Sequence, residues 1–284
     1  MTVFLKSNNL IHTMNNFLWV LKFLTVIPID KEDKIKPDET GPIVFWFPVA
    51  GLCIGVFLSA ACVLFYFLFP ALIVYALVII IYIIITGALH LDGYADTCDG
   101  IWGGYNREKR LEIMRDSRIG SFGATGLICL LGLRYVSLLS IGKTCTIGNG
   151  VLFPIVAQHT PSLVPSELVN TCIALLIMPV VGRWGQIYAA GLSMYARNES
   201  GTGGVIVKAA TVKQVICASL FLLCFLFMFY HVSGLMIFAI ISAFTLLWIW
   251  YMKKKINGMT GDTLGATNEI LELLFLLCLL LVNR

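Results

Sequence analysis

The sequence predicts an all-α fold: a polytopic integral membrane bundle of about seven transmembrane helices. Three observations lead there. The mean hydropathy is +0.88 and 58% of the residues are hydrophobic. Charged residues make up only 13% of the chain, about half the usual share in a soluble domain. The apolar residues gather into runs near the ~20 needed to cross a bilayer. An ordinary soluble domain is excluded. The net charge of +4 is modest, and no basic stripe suggests nucleic acid as a partner.

The elements follow in order. Residues 16–27 are apolar but short, broken by Lys22 and ended by Pro28, so they read as an interfacial helix within an N-terminal segment 1–42. Residues 43–69 and 71–91 contain no Asp, Glu, Lys or Arg, and Pro70 marks the turn between them. They are the first two spans. Residues 121–141, carrying Arg134, and 169–190, carrying Arg183, are the third and fourth. Residues 215–230 and 232–251 are the fifth and sixth, joined by a very short turn. Residues 265–282 form the seventh, with Glu269 and Glu272 near its start. The region 145–166 has an apolar core too short to span, with Pro154 inside it, and reads as a surface or re-entrant loop. The whole chain, 1–284, is one integral membrane catalytic domain on this reading.

The basic residues test the arrangement. On one side fall Lys31, Lys34, Lys36, Arg107, Lys109, Arg110, Arg115, Arg118, Arg197, Lys208, Lys213, Lys253, Lys254 and Lys255; the other has only Lys143 and Arg284. Loops rich in Lys and Arg stay in the cytoplasm. The connections 92–120, 191–214 and 252–264 are therefore expected on the cytoplasmic face of a cell membrane. Nine cysteines are present, but no C-x-x-C pair, so buried thiols are expected rather than a zinc site or disulfide framework. Cys98, in the charged connection, is the one candidate for reactivity.

The 92–120 connection carries the chemistry. Between Leu89 and Gly123 lie six of the sixteen acidic residues and five of the twenty basic ones. Asp92, Asp96 and Asp99 are spaced i, i+4, i+7, which on a helix places them within an arc of about 60°. Three carboxylates on one stripe repel each other and call for a counter-cation. All-oxygen ligands select a hard ion, Mg²⁺ or Mn²⁺, over zinc; Mg²⁺ binds few carboxylates and leaves room for phosphate oxygens, which makes it a phosphoryl-transfer metal. In Arg107–Arg118, Glu108, Glu112 and Asp116 share a second helical face, and Arg110, Arg115 and Arg118 offer guanidinium forks to phosphate. Intrahelical ion pairing explains that block equally well. Downstream, Asp262 and Glu269 share a face. Glu269 and Glu272 sit inside the membrane, where a carboxylate needs a partner; Arg183 is a candidate as that partner or as a phosphate ligand, and Arg134 snorkels or pairs internally. His90 reads as structural or interfacial more readily than as a general base.

These residues resemble the cobalamin synthase family, the adenosylcobinamide-GDP ribazoletransferases. HLDGYADTCDG at 90–100 and RLEIMRDSRIGSFG at 110–123 carry the resemblance. FLTVIP at 23–28, FPVAGLCIG at 47–55, ARNESGTGG at 196–204 and TGDTLGATNEILE at 260–272 extend it along most of the chain. Val26 stands where the family commonly has arginine, and the connection 145–166 is longer than usual. The resemblance implies Mg²⁺-dependent transfer at the cytoplasmic surface. Adenosylcobinamide-GDP and α-ribazole, or α-ribazole 5′-phosphate, would join with release of GMP. It implies metal binding by Asp92, Asp96 and Asp99, with Asp116 or Glu112 completing the site or taking the proton. Arg110, Arg115, Arg118 and Arg183 would bind the diphosphate, and Asp262 and Glu269 would support the metal or the incoming nucleoside. The lipid bilayer is a partner on this reading; a homo-oligomer or other corrinoid-pathway membrane proteins remain open.

Two other classes are weighed against this. A CDP-alcohol phosphotransferase also uses spaced aspartates, but it would place an arginine where Ala95 precedes Asp96, and it has no counterpart to RDSRIG or TGDTLGA. A transporter would carry its charges near the midplane, commonly with inverted repeats; here most acids lie on one side and no repeat is visible.

Overall fold

The computed structural model describes residues 14–28, 43–144, 165–197 and 201–282. All regular structure among them is helical: α1 Phe47–Tyr66, α2 Ala71–Thr86, α3 Leu89–Gly103, α4 Arg107–Ile113, α5 Ser121–Thr144, α6 Ser166–Gly191, α7 Thr202–Ala209, α8 Val212–Ile256 and α9 Gly261–Val282. A further helical segment covers 14–24. Five helices are long and apolar enough to cross a membrane, or six if α2 and α3 count together as one broken span. Most of the expected 145–166 loop lies outside the described residues.

α6 is the central post and is almost wholly buried. α1 lies against it along a stripe of small residues. A Cβ on Gly51 would stand 2.7 Å from the Pro179 carbonyl oxygen, and one on Gly55 would stand 2.2 Å from that of Leu176. One turn on, the Ser59 hydroxyl donates to the Cys172 carbonyl at 2.8 Å. Without side chains between them the backbones close up, and dispersion replaces the hydrophobic drive that lipid does not supply. Gly55→Ala forces the two helices apart. We expect a loss of about 1–3 kcal/mol, the usual range for overpacking, read as a lower unfolding midpoint in detergent.

α8 has 45 residues, roughly 67 Å at helical rise and twice the bilayer core. His231, at φ 50° and ψ −128°, breaks it. A Cβ on Gly234 would meet the Leu226 carbonyl oxygen at 2.2 Å, so the chain folds back on itself. The two arms correspond to the expected fifth and sixth spans. Trp184 on α6 touches both, through Ser219 at 3.0 Å and Phe238 at 5.5 Å between rings.

Two features depart from the sequence reading. The second span ends at Thr86, not at residue 91. Gly87 and Ala88 both take positive φ, 58° and 55°, and turn α3 by 91° from α2. Both sides of that turn are apolar, so hydropathy does not register it. The connection 92–120 is consequently no open loop. α3 packs between α9 and α5 at the basic-residue end of the bundle, and α4 lies beside it. The 14–24 helix packs one side against the bundle, where Val20 and Leu24 are fully buried.

The polar segments at this end are stitched together. The backbones of Met194 and Ala196 pair with Met259 at 2.8 Å. Arg107 donates to the carbonyls of Ala196 at 2.6 Å and Ile256 at 3.1 Å, and Arg110 to that of Lys255 at 3.2 Å. The last two contacts place guanidinium charge on the electronegative C-terminus of α8.

Candidate active site

α3 brings its carboxylates to the start of α9 because two glycines remove what would keep them apart. A Cβ on Gly93 would stand 2.9 Å from the Asp262 Cα, and one on Gly265 would stand 3.3 Å from the His90 Cα. The result is a cleft of about 260 Å³ lined by Asp92, Asp262, His90, Gln186, Tyr195 and Arg197, with Phe23, Leu89, Ile206 and Leu264 as its apolar wall. A second groove of about 320 Å³, lined by Arg107, Leu111, Glu112 and Arg115, meets it at Arg197. Both lie near the size range of small-molecule sites.

Asp92 is exposed and Asp96 half-buried on α3. Burial, then the charges of Asp92, Asp262 and Asp99, push the Asp96 carboxyl up to about 7, against the opposing pull of Arg197. Arg197 forms an ion pair with Asp262 at 2.8 Å. The acids therefore crowd one another beside the Arg197 guanidinium, an arrangement that a cation relieves.

Asp99 is used differently. It is buried, and its two oxygens accept the backbone N–H of Gly120 at 2.7 Å and of Gly123 at 2.8 Å. It caps the otherwise unpaired amides at the start of α5 from a distant part of the chain. The stripe expected to bind metal with three carboxylates has Asp92 lining the cleft, Asp96 half-buried beside it and Asp99 clamped to a helix. Among the described residues, no three His, Cys, Asp or Glu side chains form a metal cage. Mg²⁺ does not require one: it takes one or two carboxylates and fills its shell with water and substrate phosphate. Asp92 and Asp96, with Asp262 close by, fit that pattern.

The arginine block divides. Arg115 and Glu112 line the second groove, and Glu112 accepts from Lys109 at 2.8 Å. Arg118 grips Asp116 at 2.6 Å on the surface and holds its carboxyl down at about 2. Neither member of that pair lines the cleft. Arg110 is committed to the α8 carbonyl.

Arg183 and Glu269, expected at the substrate, lie in the bundle interior and do not line the cleft. Arg134 Nη2 meets Glu269 at 2.9 Å and Glu272 at 3.1 Å. Arg183 donates to Asn268 and stands 3.5 Å from Glu272. The Tyr82 hydroxyl donates to Glu272 at 2.5 Å. The side chains of both arginines and both glutamates are at most 4% exposed. Two cations and two anions balance in a place where an unpaired charge is costly. This network fixes α5, α6 and α9 behind the cleft; the internal pairing open for Arg134 and Arg183 is what is found.

Cys98 is buried in α3 and Cys145 lies outside the described residues; the described cysteines are free thiols, and Cys53, Cys129 and Cys224 face outward. Residues that the sequence reading passed over are Arg197, Gln186 and Tyr195. Arg197 figured only in the charge count and within the ARNESGTGG stretch, and Gln186 is a lone polar residue in an apolar span.

A model of the family described as cobalamin-5-phosphate synthase matches residues 16–280. A protein of Clostridium novyi (strain NT), named adenosylcobinamide-GDP ribazoletransferase, is 35% identical over 271 residues, covering 94% of this chain and 97% of the relative. Proteins of the same name from Caldanaerobacter subterraneus subsp. tengcongensis and Clostridium acetobutylicum are each 34% identical, covering 89% and 91% of this chain and 93% and 92% of the relatives. No solved structure matches the chain.

Proposed function

Because the chain belongs to the cobalamin-5-phosphate synthase family, we propose that the α3–α9 cleft is the active site of a multi-pass membrane enzyme acting as an adenosylcobinamide-GDP ribazoletransferase. The reaction is a late step of cobalamin biosynthesis. A hydroxyl oxygen of α-ribazole, or of α-ribazole 5′-phosphate, bonds to the cobinamide-side phosphorus. The bond from that phosphorus to the bridging oxygen breaks, and GMP leaves with the electron pair. When the 5′-phosphate is the acceptor its 5′ oxygen is already esterified, so the nucleophile is a secondary ribose hydroxyl.

The observation that carries this reading is that Asp92 and Asp262 line one cleft, with Asp96 near enough to feel both charges and Arg197 at the junction with an arginine-lined groove. Asp92 and Asp96 would hold Mg²⁺, which supplies charge neutralisation for a diphosphate when bound. Asp262, freed from Arg197, accepts the proton of the attacking hydroxyl. Arg197 turns to the phosphate oxygens in exchange. Arg115 and Arg107 border the groove where the leaving nucleotide's phosphate exits. Asp116 and Glu112, each held by a cation of its own, act in positioning α4 rather than as the base. The site faces the cytoplasm of the cell membrane, the side that the basic residues favour.

Membranes containing the protein, given adenosylcobinamide-GDP, α-ribazole and Mg²⁺, should yield GMP and a corrinoid product in equal amounts. EDTA should stop both, and added Mg²⁺ should restore both. Product formation that EDTA leaves untouched would refute the metal-dependent reading. Free GMP without a corrinoid product would point to a hydrolase instead.

A further inference from the structure

The cleft has a floor that the phosphate chemistry leaves unused. His90 is 4% exposed and Gln186 is 5% exposed. Both line the cleft, from α3 and α6 respectively. His90 Nδ1 and Gln186 Oε1 have no hydrogen-bond partner among the described residues. Leaving a buried donor or acceptor unmade costs about 1–3 kcal/mol each. Two such atoms on residues that line one cleft mark a place that a ligand's polar groups complete.

Chemistry narrows the ligand. A neutral imidazole nitrogen donates or accepts according to its tautomer, and a carboxamide oxygen accepts. Phosphate has its own partner in the Arg197 guanidinium on the same lining, and the Gln186 amide brings no charge. A neutral group that both donates and accepts fits, which is a hydroxyl. The adjacent wall of Phe23, Leu89 and Leu264 suits an apolar ring attached to it.

We infer that His90 and Gln186 form a sugar-hydroxyl subsite that holds the ribose of the acceptor nucleoside, with its non-reacting secondary hydroxyl bonded at the cleft floor. The inference rests on the functional reading above and adds which substrate occupies which end. The other ribose hydroxyl is thereby turned toward Asp262 and the phosphorus. A site built to bond a hydroxyl also rejects analogues that lack it, because its own buried atoms are then left unpaired.

The test uses full-length protein in lipid nanodiscs. Acceptors are α-ribazole and whichever of its 2′- or 3′-deoxy analogues still reacts. Wild-type protein should prefer the ribo acceptor by about tenfold or more in kcat/KM. His90→Phe and Gln186→Met keep bulk but lose the bonding atom. Each should raise KM for α-ribazole about tenfold, leave KM for adenosylcobinamide-GDP within about twofold, and erase the preference over the deoxy analogue. His90→Asn, which keeps a polar atom near Nδ1, should retain part of that preference. Equal rises in both KM values, or an intact preference in both apolar variants, would overturn the subsite. Should those variants fail to fold, wild-type protein decides alone: no preference for the ribo acceptor overturns the inference. If wild-type protein forms no corrinoid product with either acceptor, the functional reading itself falls and this inference falls with it.

Discussion

Replacing Asp96 with Asn, or Asp92 with Ala, should lower turnover by more than about a hundredfold, the scale on which removal of one electrostatic element acts at a phosphoryl or acyl centre. Membrane insertion and folding should survive. Neither carboxylate holds a helix end or a buried partner in the way that Asp99 does with Gly120 and Gly123. Asp99→Ala makes the contrast. It strands two amides at the start of α5, so its expected defect is in stability, about 1–3 kcal/mol, before any defect in chemistry. The same cluster sets a pH dependence. Asp96 is pushed up to about 7 by burial and by Asp92, Asp262 and Asp99, so below neutrality it keeps a proton that Mg²⁺ must displace. A metal that requires the ionised carboxylate binds more tightly as pH rises through that value. The Mg²⁺ concentration for half-maximal turnover should fall between about pH 6 and 8, and that trend should vanish in Asp96→Asn. Turnover measured across Mg²⁺ and pH, beside unfolding curves in detergent, reads out all of these. Wild-type-like activity in Asp92→Ala or Asp96→Asn would remove the metal site from α3.

Arg134→Leu should be the most destabilising single change behind the cleft. Arg134 is 1% exposed and binds Glu269 and Glu272, and without it two carboxylates share a buried space with Arg183. Breaking a buried pair by deleting one partner costs about 3–5 kcal/mol, mostly through the charge left behind. Removing charge from both sides is milder. Arg134→Met combined with Glu269→Gln should therefore recover more than half of the lost stability, although it deletes more native contacts. Denaturant or thermal unfolding of the three proteins in one detergent measures this. A double variant as unstable as Arg134→Leu alone would show that shape, not charge balance, is what the network provides.

The spans were legible because lipid imposes a simple rule: long apolar runs must be helices with every backbone group paired. Even the fold-back of α8 at His231 showed as two apolar arms between basic ends. The bend at Gly87 and Ala88 did not show, since Leu89 and Leu91 continue the greasy run across it. At the site, the spacing of Asp92, Asp96 and Asp99 correctly put them on one helix. It did not reveal that Asp99 is spent on the amides of Gly120 and Gly123, because such a partnership is set by tertiary packing. For the same reason the helical face shared by Asp262 and Glu269 misled: α9 is long enough that its first turn meets the cleft while Glu269 and Glu272, two turns and more further on, reach the buried arginines. Gln186 left no sequence signal, because one amide among apolar residues looks the same whether it lines a cleft or binds a neighbouring helix.

The central claim, that α3 and the start of α9 hold a divalent metal against the substrate diphosphate, is tested most directly by Mn²⁺ substituted for Mg²⁺ in the purified protein with adenosylcobinamide-GDP bound. Electron–nuclear double resonance should report one bound Mn²⁺ coupled to substrate phosphorus, and Asp96→Asn should abolish that signal while still folding. An unchanged phosphorus coupling in a folded Asp96→Asn variant would contradict the account.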